Sequence, residues 1–407
     1  MKRRVAIFAI LSAVAIWPAV GIPSDPAVTR ATYQVLNQAR ELMDHDAHTE
    51  AVVILQKALV SRPGTDHDTA MLLQYLGYAQ LGLHRHGPAI DAFEGALQKA
   101  TLPPDDTRQL WYLLGQLYVQ EEAFKNAIGA FESMFKIALP PHPEQARAHG
   151  WAAYAHYRLG NSARAIDHAR SAISQSDKPE TAWYRILAAS HMQRGEYREA
   201  EAPLKALIRI NPKEQSHWEQ LAYTYLQRDR RQAALATYAL AYRLGHIDPA
   251  DLLQFARLHA ASGIPEHGAR LMSTWLDDGR LAASHENLTL TAELWLMARE
   301  NKMAIGPLTR AVPLAKDGTT AERLGNLYYE SGQWDSAANA FERALAEGGL
   351  KNAARTALLL AISACESGDY RSADRALQQA GRDPKLAPQV SYWQEVLARK
   401  RGDRDRG

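Results

Sequence analysis

The stretch WYLLGQLYVQEEAFKNAIGAFESMFKIALP, Trp111 to Pro140, decides the fold. It has two apolar halves, and Glu121-Glu122 separates them. In the first half Leu114 is followed at once by Gly115, and Tyr118 comes three residues later. In the second half the small Ala127 precedes the bulky Phe131 by four residues and Met134 by seven. Spacings of four and three place residues on one face of a helix. Glycine inside a helix costs about 1 kcal/mol relative to alanine. Gly115 therefore calls for a reason, and close approach of a second helix supplies one. The stretch predicts helix, short turn, helix, with Pro140 as a stop signal.

The pattern recurs along the chain. Small residues that precede a second-helix stripe residue by four stand at Ala51, Ala89, Ala127, Ala165, Ala200, Ala234, Gly268, Ala304, Ala337 and Ala373. The intervals are 38, 38, 38, 35, 34, 34, 36, 33 and 36 residues, so ten units cover roughly residues 32 to 385. Twelve residues before these anchors come Gly77, Gly115 and Gly325, with Leu221 thirteen before Ala234. Four residues after them come Phe131 and Phe341. Gly77, Gly115, Ala127, Phe131, Ala200, Leu221, Ala234, Gly325, Ala337 and Phe341 are the expected packing residues, small ones admitting a neighbouring helix and large ones filling the gap. Gly160, Gly195, Asp229, Gly263, Gly332 and Gly368 mark turns inside units.

A helical hairpin repeated at about 34 residues resembles the tetratricopeptide repeat. The Trp111–Pro140 unit matches that family's pattern at Trp111, Leu114, Gly115, Tyr118, Ala127, Phe131 and Pro140. The resemblance implies an all-α solenoid of about ten units over residues 22–385, wound as a right-handed superhelix. A hairpin of this size cannot bury its apolar faces alone, so neighbours must stack. Proline-rich links and longer early intervals suggest a subdivision near residue 178. Residues 386–398 read as a capping helix, and 399–407 as a basic tail of five basic and two acidic residues.

The first 21 residues read as a separate object. Lys2, Arg3 and Arg4 precede a 16-residue apolar run, Val5 to Val20, that Pro18 interrupts. This is the layout of a secretory signal peptide, and the run is short of the roughly 20 residues of a membrane span. The expectation is a periplasmic protein; retention as an inner-membrane anchor facing the periplasm is the alternative. Removal of the leader turns the formal charge from +2 to −1. That balance excludes a general nucleic-acid surface, which needs a strongly basic face. Only the tail could touch a membrane surface. With Cys365 alone there is no internal disulfide.

Chemistry is scarce. The chain has no nucleophile elbow, phosphate loop or H-E-x-x-H motif. Its carboxylate pairs, Glu121-Glu122 and Asp277-Asp278, fall at turns or helix ends. His156, His191 and His259 occupy the position where other units carry Tyr118, Tyr225 and Tyr328, and His149 the position of Trp111. They read as packing rings, with no metal site and no cofactor. The tetratricopeptide resemblance places a groove along the first helix of each unit. Positions there hold Tyr78, Tyr112, Tyr154, Tyr157, Arg185, Met192, Tyr223, Arg257 and Tyr329. Tyrosine and arginine are enriched at binding hot spots.

The expected function is a non-enzymatic scaffold for another protein or an extended peptide segment in the cell envelope. Leu324–Asn352 contains EGGLK before the last unit, and with the terminal YWQ helix it resembles tetratricopeptide proteins that accompany TonB–ExbB–ExbD energy transduction in Gram-negative bacteria. That resemblance implies an accessory to outer-membrane uptake. A scaffold for envelope polymer export or surface-structure assembly stays open, as does a helical-hairpin enzyme acting on glycans. Nothing in the pattern fixes the oligomeric state.

Overall fold

The computed structural model describes residues 28–61, 64–138, 140, 143–247 and 249–404. The leader expected over 1–21 and the last three residues of the tail lie outside the described residues. Twenty helices follow one another in ten sequential pairs among the described residues. The first five are α1 (Arg30–Asp44) with α2 (His48–Ser61), α3 (Asp66–Gly82) with α4 (His86–Gln98), α5 (Pro104–Gln120) with α6 (Phe124–Phe135), α7 (Pro143–Arg158) with α8 (Ser162–Ser174), and α9 (Thr181–Gln193) with α10 (Tyr197–Ile210). α11 (Gln215–Gln227) and α12 (Arg231–Arg243) come next in the same register, followed by the hairpins α13 (Pro249–Ala261) with α14 (Pro265–Asp277), α15 (His285–Met297) with α16 (Asn301–Ala311), α17 (Thr319–Glu330) with α18 (Trp334–Glu347), and α19 (Ala353–Ser367) with α20 (Tyr370–Ala380). A final helix, α21, spans Ala387–Arg404. No strand occurs among the described residues, and none of their helices is long and apolar enough to cross a membrane.

The chain forms two compact halves, one ending at Arg228 and one beginning at Asp229. In the first half the apolar core is continuous from Leu36 to Leu187. It therefore runs across residue 178, where the sequence suggested a joint.

Each hairpin turns in the same way. Five residues before every anchor stands a residue with positive φ. Five of the ten are glycines: Gly160, Gly195, Gly263, Gly332 and Gly368. The others are Asp46, His84, Glu122, Asp229 and Arg299, with φ from 53° to 61°. In most of them the next N–H closes the turn onto the carbonyl five residues back, as in Ala123 to Tyr118 (2.8 Å) and Glu300 to Trp295 (2.9 Å). A left-handed residue with a side chain costs about 1–2 kcal/mol, and glycine returns part of that gain through unfolded-chain entropy. Arg299→Gly is therefore expected to raise stability by about 0.5–1 kcal/mol, readable as a higher denaturant midpoint at unchanged m-value.

Packing inside most hairpins sets small against large, while the fourth carries Ala153 and Ala169 at these positions. A Cβ built on Gly325 would lie 2.7 Å from ring carbons of Phe341, and on Gly77 and Gly115 it would fall closer still to Phe93 and Phe131. The other seven units carry alanine at that register, namely Ala39, Ala153, Ala188, Ala222, Ala256, Ala292 and Ala361. Within the two halves, the residues four after the anchor opposite these alanines are Leu55, Ala169, Leu204, Met272, Leu308 and Leu377, none of them phenylalanine. Phenylalanine thus occurs at this register only where the first helix has given up its Cβ. Ala127, Ala200, Ala234 and Ala337 are fully buried, and Leu221 is buried. At the seventh unit the anchor itself is Gly268, and a Cβ there would meet the Ala256 carbonyl oxygen at 2.6 Å.

Rings nine residues before the anchor tie neighbouring units together. The Tyr225 hydroxyl donates to Glu201 on α10 (2.9 Å), and Tyr118 donates to Glu94 on α4. His191 does the same work toward Arg170 on α8 (3.4 Å). These positions want a ring with a polar edge, which tyrosine and histidine both supply.

The C-terminal end departs from the sequence reading. α21 buries Val390 and Leu397 against the last hairpin, as a cap should. It does not stop at 398 but runs to Arg404. Lys400 pairs with Glu366 (2.8 Å) and Arg401 donates to the Tyr370 carbonyl (2.6 Å), so these two charges of the expected tail are docked. The EGGLK link bends at Gly348 and Gly349, with φ of 75° and 74°. The Gly318 N–H donates to the Gly348 carbonyl at 2.8 Å, and a Cβ on Gly349 would press on Asp317 at 2.7 Å.

Candidate functional site: the first-helix face

The nine groove residues expected from the sequence separate into two groups. Tyr78, Tyr112 and Tyr154 are buried, with only 4%, 5% and 8% exposure. Tyr78 sits edge-on to Phe93 with centroids 5.4 Å apart and takes a hydrogen bond from Gln74 (3.3 Å). Tyr112 packs by Phe131 at 6.5 Å and accepts from Trp151. Burial pushes the hydroxyls of Tyr78 and Tyr112 up to about 12. Tyr154 lies edge-on to Phe124 at 5.9 Å, and the Arg158 guanidinium covers the Phe124 ring at 4.6 Å. These three tyrosines are core, so they offer no surface to a partner. The sequence misplaced them because their rings pack on second-helix rings, Tyr78 and Tyr112 within their own unit and Tyr154 on Phe124 of the preceding one.

The remaining six keep access to solvent. Tyr157, Arg185, Met192 and Tyr329 are half-buried, while Tyr223 and Arg257 are exposed. In the first half Tyr223 is 43% exposed and packs edge-to-face on Tyr197 at 6.0 Å. Tyr197 opens α10, outside the first-helix register, so the alignment did not find it. Arg185 approaches the buried His217 and, with burial acting first, lowers that imidazole's pKa. In the second half Arg257 reaches Glu286 at 3.8 Å, and Tyr329 packs edge-on to Trp334 at 5.4 Å. Arg147 similarly reaches Glu180 at 3.5 Å in the first half, and Arg323 reaches Glu293 at 3.1 Å in the second. Such exposed pairs contribute about 0–1 kcal/mol each. A ligand carboxylate can displace them at small cost.

The carboxylate pairs singled out by the sequence are engaged by basic side chains. Glu121 pairs with His86 (2.9 Å) and Glu122 with Arg158 (3.2 Å). Asp277 pairs with Arg310 (3.2 Å) and Asp278 with Arg280 (3.0 Å). Among the described residues no group of three or more His, Cys, Asp or Glu side chains is placed to hold a metal ion. His191 is held by Glu196 at 2.7 Å. His259 is buried, stacked by His267 at 5.7 Å, and neither of its ring nitrogens has a hydrogen-bond partner.

A family model for the tetratricopeptide repeat matches residues 75–138, 132–179, 187–251 and 322–362, together just over half of the chain. The chain belongs to the tetratricopeptide repeat family. Solved tetratricopeptide structures resemble it at low identity. One from Parabacteroides merdae ATCC 43184 is 16% identical, covering 74% of this chain and 99% of that one, with a TM-score of 0.38. The C-terminal part of a repeat protein from Cytophaga hutchinsonii is 12% identical, covering 71% and 99%, with a TM-score of 0.40. YrrB, described as a tetratricopeptide protein with an unusual peptide-binding site, is 16% identical over 41% of this chain and 82% of its own, with a TM-score of 0.36. A search of the curated proteins finds no match.

Proposed function

We propose that this tetratricopeptide protein is a non-enzymatic scaffold that holds a partner protein or extended peptide on its first helices. The observation that carries the reading is Tyr223, an aromatic ring left 43% exposed on a first helix and braced by Tyr197. Rigid aromatic rings beside guanidinium groups are the residues from which binding hot spots are built. Proteins of this family are generally interaction scaffolds, and Glu121, Glu122, Asp277 and Asp278 are each engaged by a basic side chain.

We place the scaffold in the periplasm, as an accessory to TonB-dependent energy transduction and outer-membrane uptake. The support is the basic-then-apolar leader and the EGGLK link before the last repeat. Sequencing the N-terminus of the protein from cells tests the location, with a start after residue 21 expected; a start at Met1 contradicts a soluble periplasmic form.

Photoreactive residues at Tyr223 and Arg257, with controls at the exposed second-helix residues Glu199 and Arg270, test the surface. Capture of one partner from the first-helix positions alone is expected. Equal or preferential capture at Glu199 and Arg270 contradicts the assignment. With the partner in hand, Tyr223→Ala should weaken binding roughly tenfold or more, about 1.4 kcal/mol.

A further inference from the structure

The fourth repeat contains a cluster that the function above does not use. His149 and His156 on α7, His168 on α8 and Phe135 at the end of α6 stack on one another. Phe135 faces His149 with centroids 4.2 Å apart and His168 at 5.8 Å. His156 stacks on His168 at 5.3 Å. The Nδ1 atoms of His149 and His168 stand 3.0 Å apart. One of them must donate and the other accept, so that contact holds at most one proton between the two nitrogens. His156 is 7% exposed, and neither of its ring nitrogens has a hydrogen-bond partner. A second proton on the His149–His168 pair sets two N–H groups against each other. A proton on His156 creates a buried cation with no acceptor.

We infer that this cluster is a proton-operated latch: uptake of protons by its imidazoles releases the packing of α7 and α8 on α6. The charges acting on it from the packed helices are few. Glu132 acts from α6, and Arg164 and Asp167 from α8. On α9, His191 faces Arg170 of α8 and is held by Glu196. On α7 itself Arg147 is turned to Glu180 and Arg158 to Glu122. Glu132 and Asp167 are solvent-exposed and Arg164 opposes them, so no buried carboxylate waits to receive the protons.

The direction of the response follows. Burial first, and neighbouring imidazoles next, hold His156 and His168 at about 4, and burial lowers His149. A freed imidazole titrates near 6.5. The closed packing keeps its full stability above about pH 6.5 and loses it as pH falls toward 4, because the opened form binds more protons in that window. Asp68 and Glu201, both held at about 2, respond only at lower pH. Each unit of a solenoid is supported by its neighbours alone, so loosening one hairpin opens the stack at that point.

The test is hydrogen exchange of the full chain at about pH 7.5 and about pH 5, corrected for intrinsic rates. Protection in α7 and α8 should fall about tenfold further than in α3 and α4, and His156→Phe with His168→Phe should abolish the difference. Exchange in α7 and α8 that changes in step with α3 and α4, or a difference that survives in the variant, overturns the latch. If the variant does not fold, an imidazole NMR titration of the native chain decides. All three cluster histidines titrating below about pH 5.5 supports the latch, and any one titrating near 6.5 overturns it.

Discussion

Phe131→Ala should lower the unfolding free energy by about 3–5 kcal/mol, the range for emptying a fully buried phenyl site. Phe131 has no exposed surface and lies directly over Gly115. The space it leaves cannot collapse readily, because the backbone of α5 already forms the wall where a Cβ would stand. Water gains nothing there, since the lining is apolar. The converse change works through the same contact. Gly115→Ala improves helix propensity by about 1 kcal/mol, yet the added methyl would overlap the Phe131 ring. Overpacking of a fixed core ring costs about 1–3 kcal/mol, so the net effect is destabilising. Chemical denaturation of both variants at constant m-value measures the two terms.

Asp68→Ala is the second large loss, about 3 kcal/mol. Asp68 is wholly buried at the third position of α3 and closes a capping box with Thr65, accepting from its backbone N–H (2.9 Å) and hydroxyl (2.8 Å). Its other oxygen accepts from the backbone N–H of Thr29 at 2.9 Å and the Thr29 hydroxyl at 3.2 Å. One carboxylate thereby caps α3 and anchors the start of α1, and its removal strands two backbone donors. Burial by itself would raise the carboxyl, but the hydrogen bonds from Thr29 and Thr65 outweigh it and hold it at about 2. The folded value lies below the unfolded one, so this stability is complete above about pH 4 and disappears as pH falls through 2. Two pKa units amount to about 2.7 kcal/mol, in line with the loss expected for the alanine variant. Acid titration of native and variant chains should show this step in the native chain only.

Much of this architecture was legible in the sequence because it is periodic. The small anchor recurs ten times, a turn glycine in five units and a ring nine residues upstream in seven, and a register that recurs reports on geometry rather than chance. Gly325 against Phe341 was readable for that reason, and so was Gly332 as the turn. What the period could not supply was anything decided between non-repeating partners. Tyr78, Tyr112 and Tyr154 occupy first-helix positions, yet second-helix rings and neighbouring side chains draw them inward. His168 lies three residues after an anchor, outside the ring register, so the alignment gave no sign that it meets His149 and His156. Lys400 and Arg401 read as solvated charges because their partners, Glu366 and the Tyr370 carbonyl, are 34 and 31 residues away.

That a small-to-large pair sets the approach of the two helices of a repeat is tested most directly by a double-mutant cycle on Gly115→Ala and Phe131→Leu. The doubly substituted hairpin would carry the alanine–leucine pair already present at Ala39 and Leu55, Ala188 and Leu204, Ala292 and Leu308, and Ala361 and Leu377. The double variant should be more stable than the sum of the single losses predicts, by at least about 1 kcal/mol, within the range found for residues in contact. Losses that add to within about 0.5 kcal/mol, as for distant sites, would contradict it.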